Sequence, residues 1–334
     1  LAKVAAAAGA FVLAFVRMPQ NDVIHIHAAW KTSFCRKTVF FVMARCFRKK
    51  TVLHLHAPDF AGFQKGLMRT LGGHVFSKAD AVIALSETWA RDIRTIAPSA
   101  NVQVVPNPCE IPARRPRPLA DRKPIVVFSG KLEPRKGFPD LIRAMPAVIA
   151  RVPDARLVMA GHGAIGEAQT LAGRLGIADR VECLGWITGE RKADVLSGAR
   201  VFCLPSYGEG LPMAMLDAMS QGTPVVVTPV GGIPDVVTDG HNGTLVKPGD
   251  VAGISAAITS LMLDTNIAQD MAEAALDTLR SRFSPDQVGL CLRRLYDGLL
   301  RTDADGSSDL IEYSDAPAEH ERQVPVPGTG AAGK

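Results

Sequence analysis

The feature that most constrains this chain is a rhythm that runs twice. Short apolar, largely β-branched runs alternate with helix-length segments on either side of a proline-rich stretch. The first series predicts strands at Asp22–His27, Thr51–His56, Ala81–Leu85 and Val102–Pro106, with helices near Arg36–Phe47, Lys65–Ser77 and Glu87–Ile96. The second predicts strands at Ile125–Ser129, Arg156–Ala160, Val181–Leu184, Val201–Leu204, Val225–Thr228 and Leu245–Lys247. Its helices fit at Pro139–Ala150, Ala164–Leu175, Arg191–Ser197, Pro212–Gln221, Val251–Leu263, Asn266–Arg280 and Pro285–Leu299. Such alternation builds βαβ units. Strands apolar on both faces belong in parallel sheets covered by helices on both sides.

Between the two series lie Pro106, Pro108, Pro112, Pro116, Pro118 and Pro124, interspersed with Arg114, Arg115 and Arg117. Proline removes backbone donors and favours extended chain, so this is a linker. The expected fold is therefore α/β, with two doubly wound Rossmann-like domains facing across a cleft. The expected bounds are 1–108 for the first domain, 109–123 for the linker and 124–283 for the second domain. A C-terminal helix follows over 284–301. From 302 to 334 Asp, Glu, Ser, Gly and Pro dominate, the composition of a disordered tail. In doubly wound folds ligands bind at the carboxyl ends of the strands, and with two such domains the natural site is the cleft between them.

Composition narrows the function classes. A net charge of +5 in 334 residues is too mild for a nucleic-acid binder, which carries a stronger, clustered excess. It suits a phosphorylated small molecule or an anionic membrane surface equally well. The six cysteines lack CxxC spacing and zinc-ligand histidines. They fit a reducing, cytoplasmic compartment. The longest apolar run, Val4–Val16, is shorter than the roughly 20 residues of a membrane span. It ends in Arg17-Met18-Pro19, which is the wrong ending for a signal peptide.

Three strand-end segments can carry chemistry. Gly130-Lys131-Leu132-Glu133-Pro134-Arg135-Lys136-Gly137 follows the strand Ile125–Ser129. Lys131 and Lys136 can both reach one phosphate group from such a loop, and two ammonium groups offset the charge of a departing pyrophosphate. A solvated basic loop is the bland alternative. Gly161-His162-Gly163 precedes a helix, where backbone N–H groups hold phosphate. A ligand-free tight turn is the alternative there. The strongest segment is Pro205–Pro224, which reads Pro-Ser-Tyr-Gly-Glu-Gly-Leu-Pro-Met-Ala-Met-Leu-Asp-Ala-Met-Ser-Gln-Gly-Thr-Pro. Glu209 sits in a loop at the mouth of the cleft, and Asp217 lies eight residues on, within the helix that Pro212 opens. Carboxylates accept bonds from paired sugar hydroxyls, and the helix N-terminus presents its positive dipole end between them.

Here the chain resembles the glycosyltransferases of family 4, retaining enzymes of the GT-B fold. Pro205–Pro224 resembles their E-x7-E region, and Gly130–Gly137 their Gly-Arg-Leu-x-x-x-Lys-Gly loop. Gly231-Gly232-Ile233-Pro234-Asp235 resembles Gly-Gly-x-x-Glu, and Asp239-Gly240-His241-Asn242-Gly243 matches Asp-Gly-x-x-Gly. The motifs stand in family order over about 22–300. The resemblance implies that Glu209 contacts the donor sugar and Asp217 the ribose. It implies that Lys131 and Lys136 bind the pyrophosphate, that the backbone at Gly210 and Leu211 helps hold phosphates, and that residues near Leu184–Trp186 line the base pocket. Gly130, Gly161 and Gly163 complete the donor-binding set. Two positions depart from the pattern. Asp217 replaces the usual Glu with a carboxylate one methylene shorter, and Lys131 replaces an Arg fork with a point charge.

In the first domain His25 and His27 share one strand face, as do His54 and His56. Two H-x-H pairs on neighbouring strands raise a metal site, but carboxylate company is thin, with Asp59 the nearest after the second pair. Alternatively, these strand ends approach the cleft. His56, followed by Ala57-Pro58-Asp59, resembles the family histidine that contacts the transferred sugar or the acceptor, while His27 and His54 also fit as core histidines. Ser33–Lys50 mixes Phe34, Val39, Phe40, Phe41, Val42 and Phe47 with Arg36, Lys37, Arg45, Arg48, Lys49 and Lys50. A basic amphipathic helix lies readily on an anionic bilayer. A core-facing helix with solvated charges is the alternative.

A complete GT-B domain opens with a strand, a glycine-rich loop and a helix. Here Ala2–Pro19 reads as a helix leading directly into Asp22–His27, so about two βα units are expected to be absent. The expected function is transfer of a sugar from a nucleotide-diphosphate sugar to a glycan or lipid-linked glycan, with retention at the anomeric carbon. It needs no metal or other cofactor, because Lys131 and Lys136 supply positive charge. The expected location is cytoplasmic, peripheral on the inner face of the plasma membrane. The alternative is a non-catalytic nucleotide-sugar-binding or scaffold protein, and a dinucleotide oxidoreductase would leave Glu209 unexplained.

Overall fold

The computed structural model describes residues 2–29, 32–56 and 66–305. Of the expected tail at 302–334, residues 302–305 continue the last helix, and 306–334 lie outside the described residues, as does the segment Ala57-Pro58-Asp59. The first sheet has four parallel strands in chain order: β1 (Val23–Ala28), β2 (Lys50–Leu55), β3 (Ala81–Ala84) and β4 (Val102–Val104). Around it run α1 (Ala2–Arg17), α2 (Thr32–Cys46), α3 (Gly66–Lys78) and α4 (Glu87–Ile96). Ser86 caps α4 by accepting a bond from the Trp89 N–H.

The second sheet contains β5 (Lys123–Ser129), β6 (Arg156–Ala160), β7 (Val181–Gly185), β8 (Ala199–Leu204), β9 (Val225–Val227) and β10 (Thr244–Leu245). Their order across the sheet is β10-β9-β8-β5-β6-β7, with every pair parallel. Strand order therefore reverses between β5 and β8, which makes their carboxyl ends the expected ligand crevice. The helices are α5 (Phe138–Arg151), α6 (Ile165–Arg174), α7 (Gly189–Gly198), α8 (Met213–Ser220), α9 (Val251–Leu263), α10 (Thr265–Arg282) and α11 (Pro285–Asp305). Pro212 takes the cap position and α8 begins one residue later.

The central strands are closed to solvent on both faces: Val126, Val127, Phe128, Val201, Phe202 and Val225 through Val227 have no exposed surface. Burying each large side chain contributes about 1.5–3 kcal/mol. α11 returns to the first sheet, where Val288, Leu295 and Leu299 pack on Val52, Ala81, Ile83 and Val105.

The linker is tied down by Arg122, which is 3% exposed. Its guanidinium donates to Arg117 O at 2.9 Å, Ala199 O at 3.1 Å, Thr223 Oγ1 at 2.8 Å and Gln221 O at 2.9 Å. One buried side chain thus joins the linker to the start of β8 and the end of α8.

Candidate active site

The loops after β5 and β8 meet at the strand-order reversal. Gly137 makes the meeting possible. Its φ is +72°, and a Cβ there would lie 1.9 Å from Pro205 O. Tyr207 N donates to Arg135 O at 2.8 Å, and the Arg135 guanidinium donates to Gly208 O. The two loops are therefore locked before any ligand arrives.

Glu209 lies at the centre of this contact and is 6% exposed. Lys136 Nζ donates to its Oε1 at 2.7 Å and its Oε2 at 2.6 Å, and Ser206 Oγ donates to Oε1 at 2.6 Å. A nearly buried carboxylate needs such company, because an unpaired charge in this environment is costly. Behind it Gly231, at φ +59°, backs onto Glu209 O, where a Cβ would sit at 1.9 Å.

The sequence allows Lys131 and Lys136 to reach one phosphate from this loop. In the structure their partners differ: Lys136 holds Glu209, whereas Lys131 is half-exposed and pairs with Glu133 at 3.1 Å. Glu133 also pairs with Arg135 at 2.9 Å. The hydrogen bond from Lys131, the largest effect, holds its carboxyl below the usual range against the opposing effect of burial, with a weaker hydrogen bond from Arg135 adding to it.

Gly130, Gly161 and Gly163 lie together as the sequence placed them. Leu132 N donates to His162 O at 2.8 Å and Ala164 N to Leu132 O at 2.9 Å, stitching the loop after β5 to the loop after β6. Beside them opens a cavity of about 670 Å³, lined by Glu110, Ser129, Gly130, Ala160, Trp186, Lys192, Met213 and Asp217 among others. Asp217, the fifth residue of α8, forms an ion pair with Lys192 of α7. Trp186 is exposed at the rim, its ring 5.3 Å from that of His162. Leu184 instead packs partly buried against the main core from β7, so Trp186 and Ile187 are the residues of that segment on the cavity wall. Leu211 is buried beside Gly210, whose carbonyl accepts from Gly232 N at 2.6 Å.

His56 ends β2. Its Nε2 lies 2.9 Å from His27 Nδ1, and burial, then His27, pushes its pKa down. The two domains touch next to the Glu209 loop, where Asp235 accepts from the Thr88 N–H at 3.1 Å and its hydroxyl at 3.3 Å.

Sequence reasoning missed Lys192, Ser206 and Glu110. Only Ser206 carried a local signal, because it stands three residues before Glu209 in the same loop. Lys192 has no motif of its own, and its role depends on α7 lying beside α8.

Comparison with known proteins identifies the family. Residues 111–278 match the family model described as "Glycosyl transferases group 1", and residues 2–108 match "Glycosyl transferase 4-like domain". The phosphatidyl-myo-inositol mannosyltransferase of Mycolicibacterium smegmatis is 27% identical over 285 residues, covering 83% of this chain and 71% of that protein. The GDP-mannose-dependent alpha-(1-6)-phosphatidylinositol monomannoside mannosyltransferase of the same organism is 32% identical over 250 residues, covering 69% of this chain and 65% of that protein. The chain thus spans about two thirds of the length of these relatives. The Anabaena protein HepE, solved with UDP-glucose, superposes with a TM-score of 0.72 at 20% identity, covering 86% of this chain and 81% of that one. With two parallel sheets in GT-B arrangement and a family match over more than half its length, the chain belongs to the group 1 glycosyltransferases, of family 4 type.

Proposed function

We propose that this protein transfers a sugar from a nucleotide-diphosphate sugar to a glycan or lipid-linked glycan acceptor with retention of anomeric configuration. The observation that carries the reading is the paired arrangement around α8. The Glu209–Lys136–Ser206 cluster stands before its N-terminus, and Asp217 with Lys192 stands on its cavity side. Glu209 is the donor-sugar contact and Asp217 the ribose contact. The backbone N–H groups near Gly210, Leu211 and the Gly161–Gly163 turn face the pyrophosphate, and Trp186 borders the base.

Lys136 already forms an ion pair that keeps it fixed in place. A sugar hydroxyl bonding to Glu209 would leave the ammonium free to turn toward the departing phosphate. Positioning and charge stabilisation then do most of the work. Lys131, at the rim, adds charge once it leaves Glu133. His56 faces the transferred sugar or acceptor from the first domain.

The lipid-linked acceptor gains support from α1 and α2. Phe11, Val12, Leu13, Phe15, Val16, Val39 and Val42 are exposed together with Arg36, Arg45 and Arg48. Exposed apolar patches of this kind mark interaction surfaces, and with basic residues they suit an anionic bilayer. Among the described residues no single helix is long and apolar enough to cross a membrane. A peripheral location on the cytoplasmic face follows from this reading.

The test is a thermal-shift screen across UDP-, GDP- and ADP-sugars, followed by proton NMR of the product formed with the stabilising donor. One donor should raise the melting temperature, because ligand binding stabilises by mass action, and the product should keep the donor's anomeric configuration. An inverted product would refute retention. Binding of a donor without turnover would support a nucleotide-sugar-binding protein instead.

A further inference from the structure

The first sheet carries a histidine cluster that the transfer reaction does not use. Parallel register sets His27 of β1 opposite His54 of β2, with His25 two residues earlier on the same face. The rings gather: His25 lies 4.5 Å from His27 and 5.3 Å from His54 between centroids, and His27 lies 4.9 Å from His54. One nitrogen from each of the three falls within 4.8 Å of the others.

We propose that His25, His27 and His54 form a binding site for a divalent transition-metal ion of the zinc class, with Tyr296 of α11 as its outer hydrogen-bond partner. Imidazole nitrogen suits zinc, nickel and copper. Zn–N bonds of 2.0–2.1 Å in tetrahedral geometry place neighbouring ligand nitrogens about 3.3 Å apart. His25 Nε2 and His54 Nδ1 are 3.2 Å apart. Two nitrogens at that separation can share a proton or a metal ion.

Two of the three rings, those of His25 and His27, are held as metal ligands are, and the third is fixed by burial. A ligating histidine has its second nitrogen held by an outer partner, which fixes ring and tautomer. His25 Nδ1 lies 2.5 Å from the Tyr296 hydroxyl, which leaves Nε2 for the cluster. His27 Nδ1 lies 2.9 Å from His56 Nε2, which leaves its other nitrogen. His54 is buried, and its Nε2 has no hydrogen-bond partner. His27 is exposed, so water or an anion can complete the coordination from the open side. Because Tyr296 belongs to α11, metal binding would also fasten the C-terminal helix to β1.

The test uses tag-free protein stripped of metal by chelation, titrated with Co2+ and followed by visible absorption, then challenged with Zn2+. The expected result is a tetrahedral cobalt spectrum saturating at one equivalent and abolished by one equivalent of Zn2+, with a raised melting temperature. His25→Asn and His54→Gln should weaken binding by tenfold or more. Tyr296→Phe should weaken it by about tenfold. His74→Ala and His241→Ala, which lie outside the cluster, should bind as the parent does. No cobalt spectrum, or equal affinity in His25→Asn and the parent, would overturn the proposal. If His54→Gln does not fold, His27→Asn and Tyr296→Phe decide on the same criterion.

Discussion

Lys136 Nζ lies within 2.7 Å of both carboxylate oxygens of Glu209, in a pair whose two side chains are only 18% and 4% exposed. The pair joins the loop after β5 to the loop after β8. Glu209→Gln keeps the shape but removes the charge. Loss of such a group lowers kcat by about 10²–10³, which a donor-hydrolysis or transfer assay would read. Lys136→Ala leaves Glu209 buried without its cation and should cost both kcat and stability, since breaking a buried pair costs about 3–5 kcal/mol. Equal activity in Glu209→Gln and the parent would remove Glu209 from the reaction.

Lys192 and Asp217 predict a different kinetic signature. Asp217 has a shorter reach than the glutamate usual in the family, and Lys192 holds it on the cavity wall. Lys192→Ala should raise KM for the donor about tenfold with little change in kcat, because it removes binding shared by ground and transition states. Lys192→Arg should recover part of the affinity. A drop in kcat at unchanged KM would show that Lys192 acts on the departing phosphate instead.

The contrast between these pairs shows what a linear sequence can convey. Element positions were legible because apolar periodicity is local: α4 falls at Glu87–Ile96 and α9 at Val251–Leu263, as the pattern predicts. The Glu209 loop was legible because acid, glycines and Pro212 stand side by side. Partnerships were not, because they depend on which loops the sheet order brings together. Lys131 and Lys136 look equivalent in sequence, yet only Lys136 lies across the β5–β8 reversal from Glu209. The histidine pairs were visible as strand faces, but their mutual register and Tyr296, 271 residues from His25, were not.

Arg122 gives a prediction about stability alone. Its buried guanidinium serves three carbonyls and the Thr223 hydroxyl. Burial, then Arg117 and Arg200, lowers its pKa to about 10, so it stays charged at neutral pH. Arg122→Ala should cost about 3 kcal/mol, because it strands several buried acceptors at once. Arg122→Lys should recover little, since an ammonium lacks the planar fork. Chemical denaturation would read both, and a change in donor KM without a change in stability would contradict a purely structural role.

The histidine cluster predicts a pH dependence of its own, measured with chelator present so that protons alone are read. Burial, then His27 and His56, pushes His25 down to about 4. Burial, then His56, His25 and His27, pushes His54 down to about 2. Both have folded pKa values below the unfolded value of about 6.5. The unfolded chain therefore binds more protons than the folded one below pH 6.5. Stability is fully present above that pH and falls as the pH drops toward 4. Each histidine kept neutral contributes at most about 1.4 kcal/mol per pH unit in this window. Carboxylates with depressed pKa, such as Glu133, lose their contribution only at lower pH, so the interval from pH 6.5 to 5 isolates the histidines. Melting temperature should fall across that interval in the parent and fall less in His54→Gln. Parallel curves for the two proteins would show that the buried ring takes up its proton without unfolding.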